Sequence, residues 1–319
     1  MMNEKNTFFI LIKELSLLKK KPIYVETVID SSIEEVWHFT QQPDLHEQWD
    51  LRFTSITYIE KQHEDAPQTF TYTTKVMPGL SVAGWGESKG THEKASGVKT
   101  SSLHFGTPQR ISPIKEGRGY WQYIPNGDHV TFLTQYDYDV RFGQLGQLFD
   151  QLFRPVIGWA TALSFNVLAR WIESGEKPGT QYRRFFSYYL LCFLFSFTWM
   201  YQGLIPKVLM KHPLEIDMLM KLSPLSLGQA STAIVWIGVL EMMIGILFLV
   251  PKLQPLLLKA QIVLFPLLTL SAIIAAPTVA TAPFNVVTLN IGLWIASIIA
   301  LLLTKELPTA RFCKRKRGA

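Results

Sequence analysis

Glu241 is the residue with the clearest chemical consequence in this chain of 319 residues. It lies within residues 229–250, an otherwise uncharged apolar stretch about as long as the ~20 residues that a helix needs to cross a membrane. A carboxylate in hydrocarbon is costly unless it is paired, protonated or directed into a polar cavity. Its alternative role is to fix helix packing through a hydrogen bond to a neighbouring helix. We predict a polar site in the membrane domain with these members: Glu241, Lys207, Asn285, Asn290 and Trp199.

Aromatic residues are frequent in the first half of the chain, on segments that alternate as strands do. A cavity for a planar or lipid-like ligand uses such rings together with a few polar groups that orient the ligand. Core packing is the simpler explanation for each ring taken alone, because large aromatic side chains dominate protein cores. The predicted ligand-binding residues are Trp49, Arg52, Trp85, His104, Arg110, Tyr120, Gln135 and Asp137.

Catalysis requires an acid, a base or a nucleophile within hydrogen-bond reach of a partner. No Ser-His-Asp or Cys-His grouping is recognisable from spacing. His104 and Asp137, on separate predicted strands, are the best acid and base pair that the sequence offers, and ordinary surface or core positions are the alternative. The sequence therefore leaves the catalytic residues unknown and leaves open whether the protein is an enzyme.

Several classes of cofactor are excluded by missing motifs. The chain has no Gly-rich phosphate loop, no Cys-x-x-Cys and no His-Glu-x-x-His, which argues against nucleotide hydrolases, zinc sites and Rossmann cofactors. The apolar stretches contain no histidine and only one cysteine, Cys192, so neither bis-imidazole haem ligation nor a thiol pair is available there. We predict no cofactor and no metal.

Four apolar stretches follow a half that reads as water-soluble. Each is about the ~20 residues that a helix needs to cross a bilayer. The positive-inside rule places short basic loops on the cytoplasmic side. Lysine and arginine are in excess before the first stretch, at the second connection with Lys252 and Lys259, and after the fourth stretch, whereas the lysines of the first connection are offset by acidic residues. Both termini are therefore expected in the cytoplasm of a multi-pass cell-membrane protein. The stretches are 186–205, 229–250, 256–276 and 284–304.

The soluble half reads as a strand, short helices, many strands and a long helix. Residues 22–29 alternate as a strand, and Ser31-Ser32 with two glutamates after it is a helix start. Turn residues such as Asn126-Gly127 separate later strand candidates. A helical period then runs over 145–173. The strand candidates after the first are 53–60, 68–77, 85–93, 99–105, 119–124 and 129–140.

The segment 22–50 resembles the opening of the START-like SRPBCC superfamily, the polyketide cyclase and lipid-transport proteins. The residues that carry the resemblance are the strand, the Asp30-Ser31-Ser32 helix start and the Trp49-Asp50 close. The long helix agrees with that fold. The resemblance implies an α+β helix-grip domain, in which an antiparallel sheet wraps round the helix with an apolar cavity between them.

The second half contains a set of residues at characteristic places around the apolar stretches: Arg183-Arg184, Trp199, Gly203, Lys207, Glu215, Glu241, Gly245, Pro283-Phe284-Asn285 and Leu289-Asn290. In these residues it resembles the DoxX-like membrane family of four helices. The resemblance implies an all-α four-helix transmembrane bundle and a quinone-linked redox role as one hypothesis. Val286 departs from the pattern, since proline is expected after Asn285.

The function predicted from these observations is a membrane-anchored binding protein for a hydrophobic small molecule or lipid, with the ligand held in the cavity of the cytoplasmic START-like domain. The alternative is a membrane enzyme or quinone-linked redox subunit that acts on a hydrophobic substrate. The basic tail is expected to contact an anionic membrane surface rather than nucleic acid, and a homo-oligomer is compatible with the sequence but not required. The predicted organisation is an extension at 1–21, a START-like domain at 22–175, a linker at 176–185, the helical bundle at 186–305 and a basic tail at 306–319.

Overall fold

The computed structural model describes residues 21–63 and 66–318. These form two compact units. The grip unit comprises the described residues up to Gln181 together with those from Pro308 onward, and the helical unit comprises Tyr182–Leu307. Apart from Lys21, the predicted N-terminal extension lies outside the described residues.

A seven-stranded antiparallel sheet is the framework of the grip unit. Its strand order is β1-β7-β6-β5-β4-β3-β2, so β2 to β7 form a meander and β1 joins it beside β7. The strands are β1 (Ile23–Ile29), β2 (Ser55–Tyr58), β3 (Gln68–Met77), β4 (Leu80–Glu93), β5 (Lys99–Gly106), β6 (Ile114–Asn126) and β7 (His129–Val140). The predicted strands are all present, and β4 and β6 begin five residues earlier than expected, at Leu80 and Ile114.

Three helices belong wholly to this unit: α1 (Ile33–Gln41), α2 (Pro43–Trp49) and α3 (Gly143–Ser174). Ser32 caps α1 by accepting a hydrogen bond from the Glu35 backbone N–H, so the helix begins at its expected signal. Proline at the first position of α2 suits a helix start because its missing N–H has no intrahelical partner there.

The long helix α3 packs on one face of the sheet, which we call the helix face. Alternate residues of β7 are buried against it. Phe132 stacks on Phe165 with ring centroids 4.5 Å apart, and the Tyr136 hydroxyl lies 2.9 Å from Thr161 Oγ1. This is the helix-grip arrangement that the sequence predicted.

The chain returns to the grip unit after the helical unit and adds a short extended segment to the free edge of β1. Glu26 and Lys314 exchange both backbone hydrogen bonds at 2.9 Å, and the Lys314 ammonium lies 2.8 Å from the Glu26 carboxylate. Cys313 is buried beside them and donates to the Ala162 carbonyl at 3.2 Å. The tail therefore covers a sheet edge that would otherwise expose unpaired backbone groups.

Tail docking can be followed through Cys313, because burial raises the pKa of its thiol to about 11. Because the thiolate is the reactive form, alkylation near neutral pH should be about a hundredfold slower than for an ordinary cysteine. In a Cys192→Ser background, Lys314→Glu places two carboxylates opposite each other and should speed labelling. Lys316→Glu makes the same charge change two residues away at an exposed position and should leave the rate unchanged. Equal rates in the two variants would contradict the docked tail.

The helical unit contains long apolar helices joined by shorter ones. In chain order these are α4 (Pro178–Gln202), which begins in the grip unit and continues as a π-helical segment (Gly203–Leu209), then α5 (Pro213–Leu222), α6 (Leu227–Leu247), α7 (Gln254–Ala275) and α8 (Val286–Leu303). By length and composition, the helices that could cross a membrane are α3, α4 with its π-helical segment, α6, α7 and the helix from Val286. In the most apolar part of α3, 56% is buried in the structure. The apolar composition of α3 therefore reflects its packing against the sheet of the grip unit.

The described residues contain eight α-helices, whereas the sequence predicted a bundle of four after the sheet domain. Four of the eight are the long apolar helices of the helical unit, and three more belong to the grip unit. The remaining one, α5, is short and amphipathic, with Ile216 buried while Asp217 and Lys221 pair at its surface. A helix of this length carries no span-like hydropathy signal, which is why the apolar pattern did not reveal it.

Candidate functional site

Aromatic residues and glycines alternate across the helix face of the sheet. One row runs through Phe70, Gly86, Phe105, Gly117 and Tyr138 on β3 to β7. A Cβ added at Gly86 would lie 2.1 Å from Phe70 Cζ, and one at Gly117 would lie 2.4 Å from Phe105 Cζ. The rings therefore lie flat over the neighbouring glycines, which leaves the space above the sheet clear of them.

The part of the helix face on β3 to β6 is only partly covered. Tyr72 lies over Gly84 in the same way, with Cζ 2.3 Å from an added Cβ. Leu103 and Trp121, which share this face, are half-buried, whereas Phe132 on β7 is fully buried beneath α3. Aromatic and aliphatic surface is thus available between the sheet and the helix.

A buried ion pair lies at the end of α2, beside this surface. Arg52 Nε donates to Asp50 Oδ1 at 2.9 Å and Nη2 donates to Oδ2 at 2.6 Å. His46 Nε2 lies 3.1 Å from the same Oδ2. Burial alone would raise the pKa of the Asp50 carboxyl, but the guanidinium and His46 hold that pKa well below its usual range. Asp50 is fully buried and stays ionised.

The Arg52 guanidinium is the polar group of this region that faces aromatic rings. Its carbon atom lies 5.6 Å from the Phe53 ring centroid and 5.4 Å from that of Tyr136. Burial would lower the pKa of Arg52, but the Asp50 charge raises it above its ordinary value. The arrangement presents a fixed cation at the edge of an apolar surface.

Trp49 is a core residue in this structure. Its ring is fully buried, its Nε1 donates to the Phe39 carbonyl at 3.0 Å, and it stacks on His46 with centroids 4.9 Å apart. Trp49 therefore positions the end of α2, and with it Asp50 and Arg52.

Five other predicted residues lie on the opposite face of the sheet, the outer face: Trp85, His104, Tyr120, Gln135 and Asp137. His104 Nε2 lies 2.5 Å from Glu116 Oε1, and a hydrogen bond from His104 lowers the pKa of that glutamate. Asp137 is paired with Arg154 at 2.6 Å. His104 and Asp137 are separated by Arg118 in the strand register, so the structure does not bring the suggested acid and base together.

A groove of about 470 Å³ crosses the outer face. It brings together three of the predicted residues, Tyr120, Gln135 and Asp137, with Arg118 and the tail residue Arg317. The Tyr120 hydroxyl donates to Gln135 Oε1 at 3.4 Å. The charged and amide side chains in its lining distinguish this groove from the apolar surface of the helix face.

Arg110 lies in an exposed turn between β5 and β6, apart from both of these sites. The predicted ligand-binding set is thus divided: Arg52 adjoins the helix face, while most of the others share the outer face. Asp50 and His46 were not predicted. Their signal is local, since Asp50 precedes Arg52 by two residues and His46 precedes Asp50 by one helical turn.

Asp50→Asn should destabilise the grip unit by about 3–5 kcal/mol, because it leaves the Arg52 cation buried without its partner. Since the folded-state pKa of Asp50 is depressed, its contribution is present above the unfolded pKa of about 3.9 and is lost as pH falls through the folded value. Hydrogen exchange of grip-unit peptides measures both effects. Asp44→Asn changes an exposed carboxylate on the same helix and should have little effect. Similar protection losses in the two variants would refute the buried pair.

Close contact between α6 and the π-helical segment positions the polar site of the helical unit. A Cβ at Gly203 would lie 2.3 Å from the Gly238 carbonyl oxygen, and one at Gly238 would lie 2.7 Å from that of Gly203. Small residues allow such backbone approach between membrane helices. Lys207 follows Gly203 by four residues and Glu241 follows Gly238 by three, so the contact directs both side chains to one place.

Lys207 is the centre of a cluster with two carboxylates. Its ammonium lies 3.1 Å from Glu241 Oε2 and 3.0 Å from Glu215 Oε2. The side chains are 11% exposed for Lys207, 13% for Glu241 and 21% for Glu215. The predicted contact of Glu241 with Lys207 is present, and Glu215 is an additional member contributed by α5.

The other predicted members of this site lie elsewhere in the helical unit. Trp199 Nε1 donates to Gln261 Oε1 at 3.1 Å. Asn290 Nδ2 donates to Thr269 Oγ1 at 3.0 Å, and Asn285 caps α8 by accepting from the Thr288 backbone N–H. Each of these side chains bonds a neutral group rather than a member of the charged cluster. Among the residues that the structure describes, none form a group of three metal ligands.

Gly238→Leu should disrupt the helical unit, because its side chain would overlap the Gly203 carbonyl and the Lys207 stem. Thermal stability of the detergent-solubilised protein, followed by fluorescence-detected size exclusion, should fall sharply. Gly292→Leu lies on α8 with open space around the added Cβ and should be tolerated. Equal tolerance of both substitutions would contradict the close contact.

Residues 196–298 match the family model of the DoxX-like family. The chain is 46% identical over 189 residues to the uncharacterized membrane protein YndG of Bacillus subtilis (strain 168), which covers 58% of this chain and 70% of that protein. The STAR-related lipid transfer protein from Xanthomonas axonopodis superposes with a TM-score of 0.35 at 13% identity, over 46% of this chain and 82% of that one. The Zhui aromatase/cyclase from a Streptomyces species superposes at 0.36 with 9% identity, over 49% and 98%.

The two structural likenesses are too weak to carry an argument, and the helix-grip assignment is defined by the strand order and by the packing of α3. Together with the DoxX-like match, that fold defines a membrane protein in which a helix-grip domain accompanies an apolar helical region. The identity with YndG extends over more than two thirds of that relative. The chain belongs to the family of membrane proteins that includes YndG.

Proposed function

We propose that this protein is a membrane-anchored binding protein for a hydrophobic small molecule or lipid, held on the helix face of the grip unit. The observation that carries the proposal is the alternation of aromatic rings with glycines. Rings that lie flat against the sheet present apolar surface without occupying the space that a ligand needs.

The second support is the partial exposure of that surface. Phe70, Tyr72, Leu103, Phe105 and Trp121 are half-buried on the strands that α3 does not seal. Transfer of an apolar ligand onto such side chains removes apolar area from water on both partners. Each Å² removed stabilises the complex by about 25 cal/mol. The surface is therefore suited to a lipid tail or a planar ring.

Arg52 supplies orientation in this proposal. Its guanidinium is fixed by Asp50 and stands beside the rings of Phe53 and Tyr136. A fixed hydrogen-bond donor next to an apolar surface favours a ligand with a polar head and an apolar body. Polar ligands without an apolar body should bind weakly.

The proposal includes a topology. Apolar helices of the helical unit span the cell membrane. Both termini lie in the cytoplasm, because lysine and arginine are in excess in the segments that share a side of the membrane with the termini. The grip unit then works at the cytoplasmic membrane surface, where anionic headgroups attract the exposed basic residues Arg315, Lys316 and Arg317. Assembly of copies into a homo-oligomer is not needed for binding.

Substitution of one residue on each face of β5 tests the proposal. Leu103→Trp fills the space over the helix face and should reduce uptake of a hydrophobic fluorescent probe at least tenfold, about 1.4 kcal/mol. Ser102→Trp places the same ring on the outer face, in the polar groove, and should leave probe binding unchanged. The measurement is a probe titration of the full-length protein in nanodiscs, with native mass spectrometry of co-purified lipid as a second readout.

The outcomes distinguish binding at the helix face, binding in the outer groove and no binding at all. Loss of binding in Ser102→Trp alone would move the ligand to the outer groove and overturn the helix-face proposal. A protein that retains no lipid and takes up neither probe nor a quinone panel would overturn the binding function itself. That result would favour the alternative, an enzyme or redox subunit centred on the helical unit.

A further inference from the structure

The Lys207 cluster contains more negative than positive charge. One ammonium faces two carboxylates, Glu215 and Glu241, at 3.0 Å and 3.1 Å. If all of them are ionised, a single negative charge is left in a region that is mostly shielded from water. Uncompensated charge of this kind is among the most costly features that a protein can bury.

The two carboxylates differ in how well their charge is stabilised. Glu215 lies in the first turn of α5, after the cap residue His212 and Pro213, where the positive end of the helix dipole favours a carboxylate. It is also the more exposed of the two, and Lys207 donates to its Oε1 at 3.4 Å. Glu215 and Lys207 therefore form the ion pair of the cluster.

Glu241 has neither a helix N-terminus nor a hydrogen bond from Lys207 to stabilise a negative charge. It lies within the apolar helix α6, away from either helix end. Its Oε2 lies 3.1 Å from the Lys207 ammonium, but by its geometry this buried atom accepts no hydrogen bond among the described residues. A neutral carboxylic acid fits this position better than a second carboxylate does.

We propose that Glu241 is a proton-binding site in the helical unit, and that Lys207 and Glu215 form the neutral ion pair beside it. The ligand is a single proton exchanged with water, which joins the Glu241 carboxylate to give the carboxylic acid. Of the other charged groups on the packed elements, Asp217 and Lys221 on α5 pair with each other at 2.8 Å and lie at the surface. They do not take part.

Loss of either neighbour should change how tightly the proton is held. Glu215→Gln leaves Glu241 as the remaining carboxylate beside Lys207, so the ammonium should stabilise the Glu241 carboxylate. Glu241 should then release its proton at a pH at least about one unit lower than in the unsubstituted protein, which is a tenfold loss of proton affinity. Lys207→Met removes the cation and should have the opposite effect. Glu241→Gln mimics the protonated acid, so the protein should fold and lose the site.

Infrared difference spectroscopy of the full-length protein in phosphatidylcholine liposomes measures this proton directly. A buried carboxylic acid carbonyl band should be present near neutral pH and absent in Glu241→Gln. In Glu215→Gln the band should disappear at a lower pH than in the unsubstituted protein. Asp217→Asn, the matched change on the same helix, should leave the band and its titration unchanged.

The results separate this site from the ligand surface of the grip unit. Persistence of the band in Glu241→Gln, or its absence from the unsubstituted protein near neutral pH, would overturn the proposal. So would identical titrations of Glu215→Gln and Asp217→Asn. Leu103→Trp should leave the band unchanged, so failure of the lipid-binding proposal does not decide this one.

Discussion

A buried carboxylate must be compensated at short range, and this requirement shapes both units. In the grip unit, Asp50 is fully buried and its charge is met by a bidentate Arg52. In the helical unit, Lys207 lies between Glu215 and Glu241. Local backbone structure positions the charges in each unit: the end of α2 in the grip unit, and the close contact between Gly203 and Gly238 in the helical unit.

The two compensations differ in kind. Asp50 has enough partners to stay ionised, so its pair is a fixed structural cation and anion beside an apolar surface. Glu241 shares its cation with another carboxylate that is better placed to use it. A fixed pair suits orientation of a ligand, whereas a shared cation suits a group that changes its charge.

Local patterns in the sequence predicted most of the elements, because strand alternation and long apolar runs are short-range features. The strand at Gln68–Met77 and the helix end at Trp49 are where the patterns place them. Gly84 and Gly117 lowered the strand signal of β4 and β6, since glycine disfavours strands. Rings from neighbouring strands cover these glycines, and that compensation is visible only after the strands pair. Long-range pairing therefore supplied what the local signal lacked.

The sequence alone determined that a sheet domain precedes an apolar helical region, that Glu241 is a costly charge, and that Lys207 is a plausible partner for it. Only the tertiary structure decided that His104 and Asp137 lie on the outer face while Arg52 adjoins the helix face. The physical reason is register. A side chain's face depends on pairing between residues far apart in the chain, and a shift of one residue reverses it.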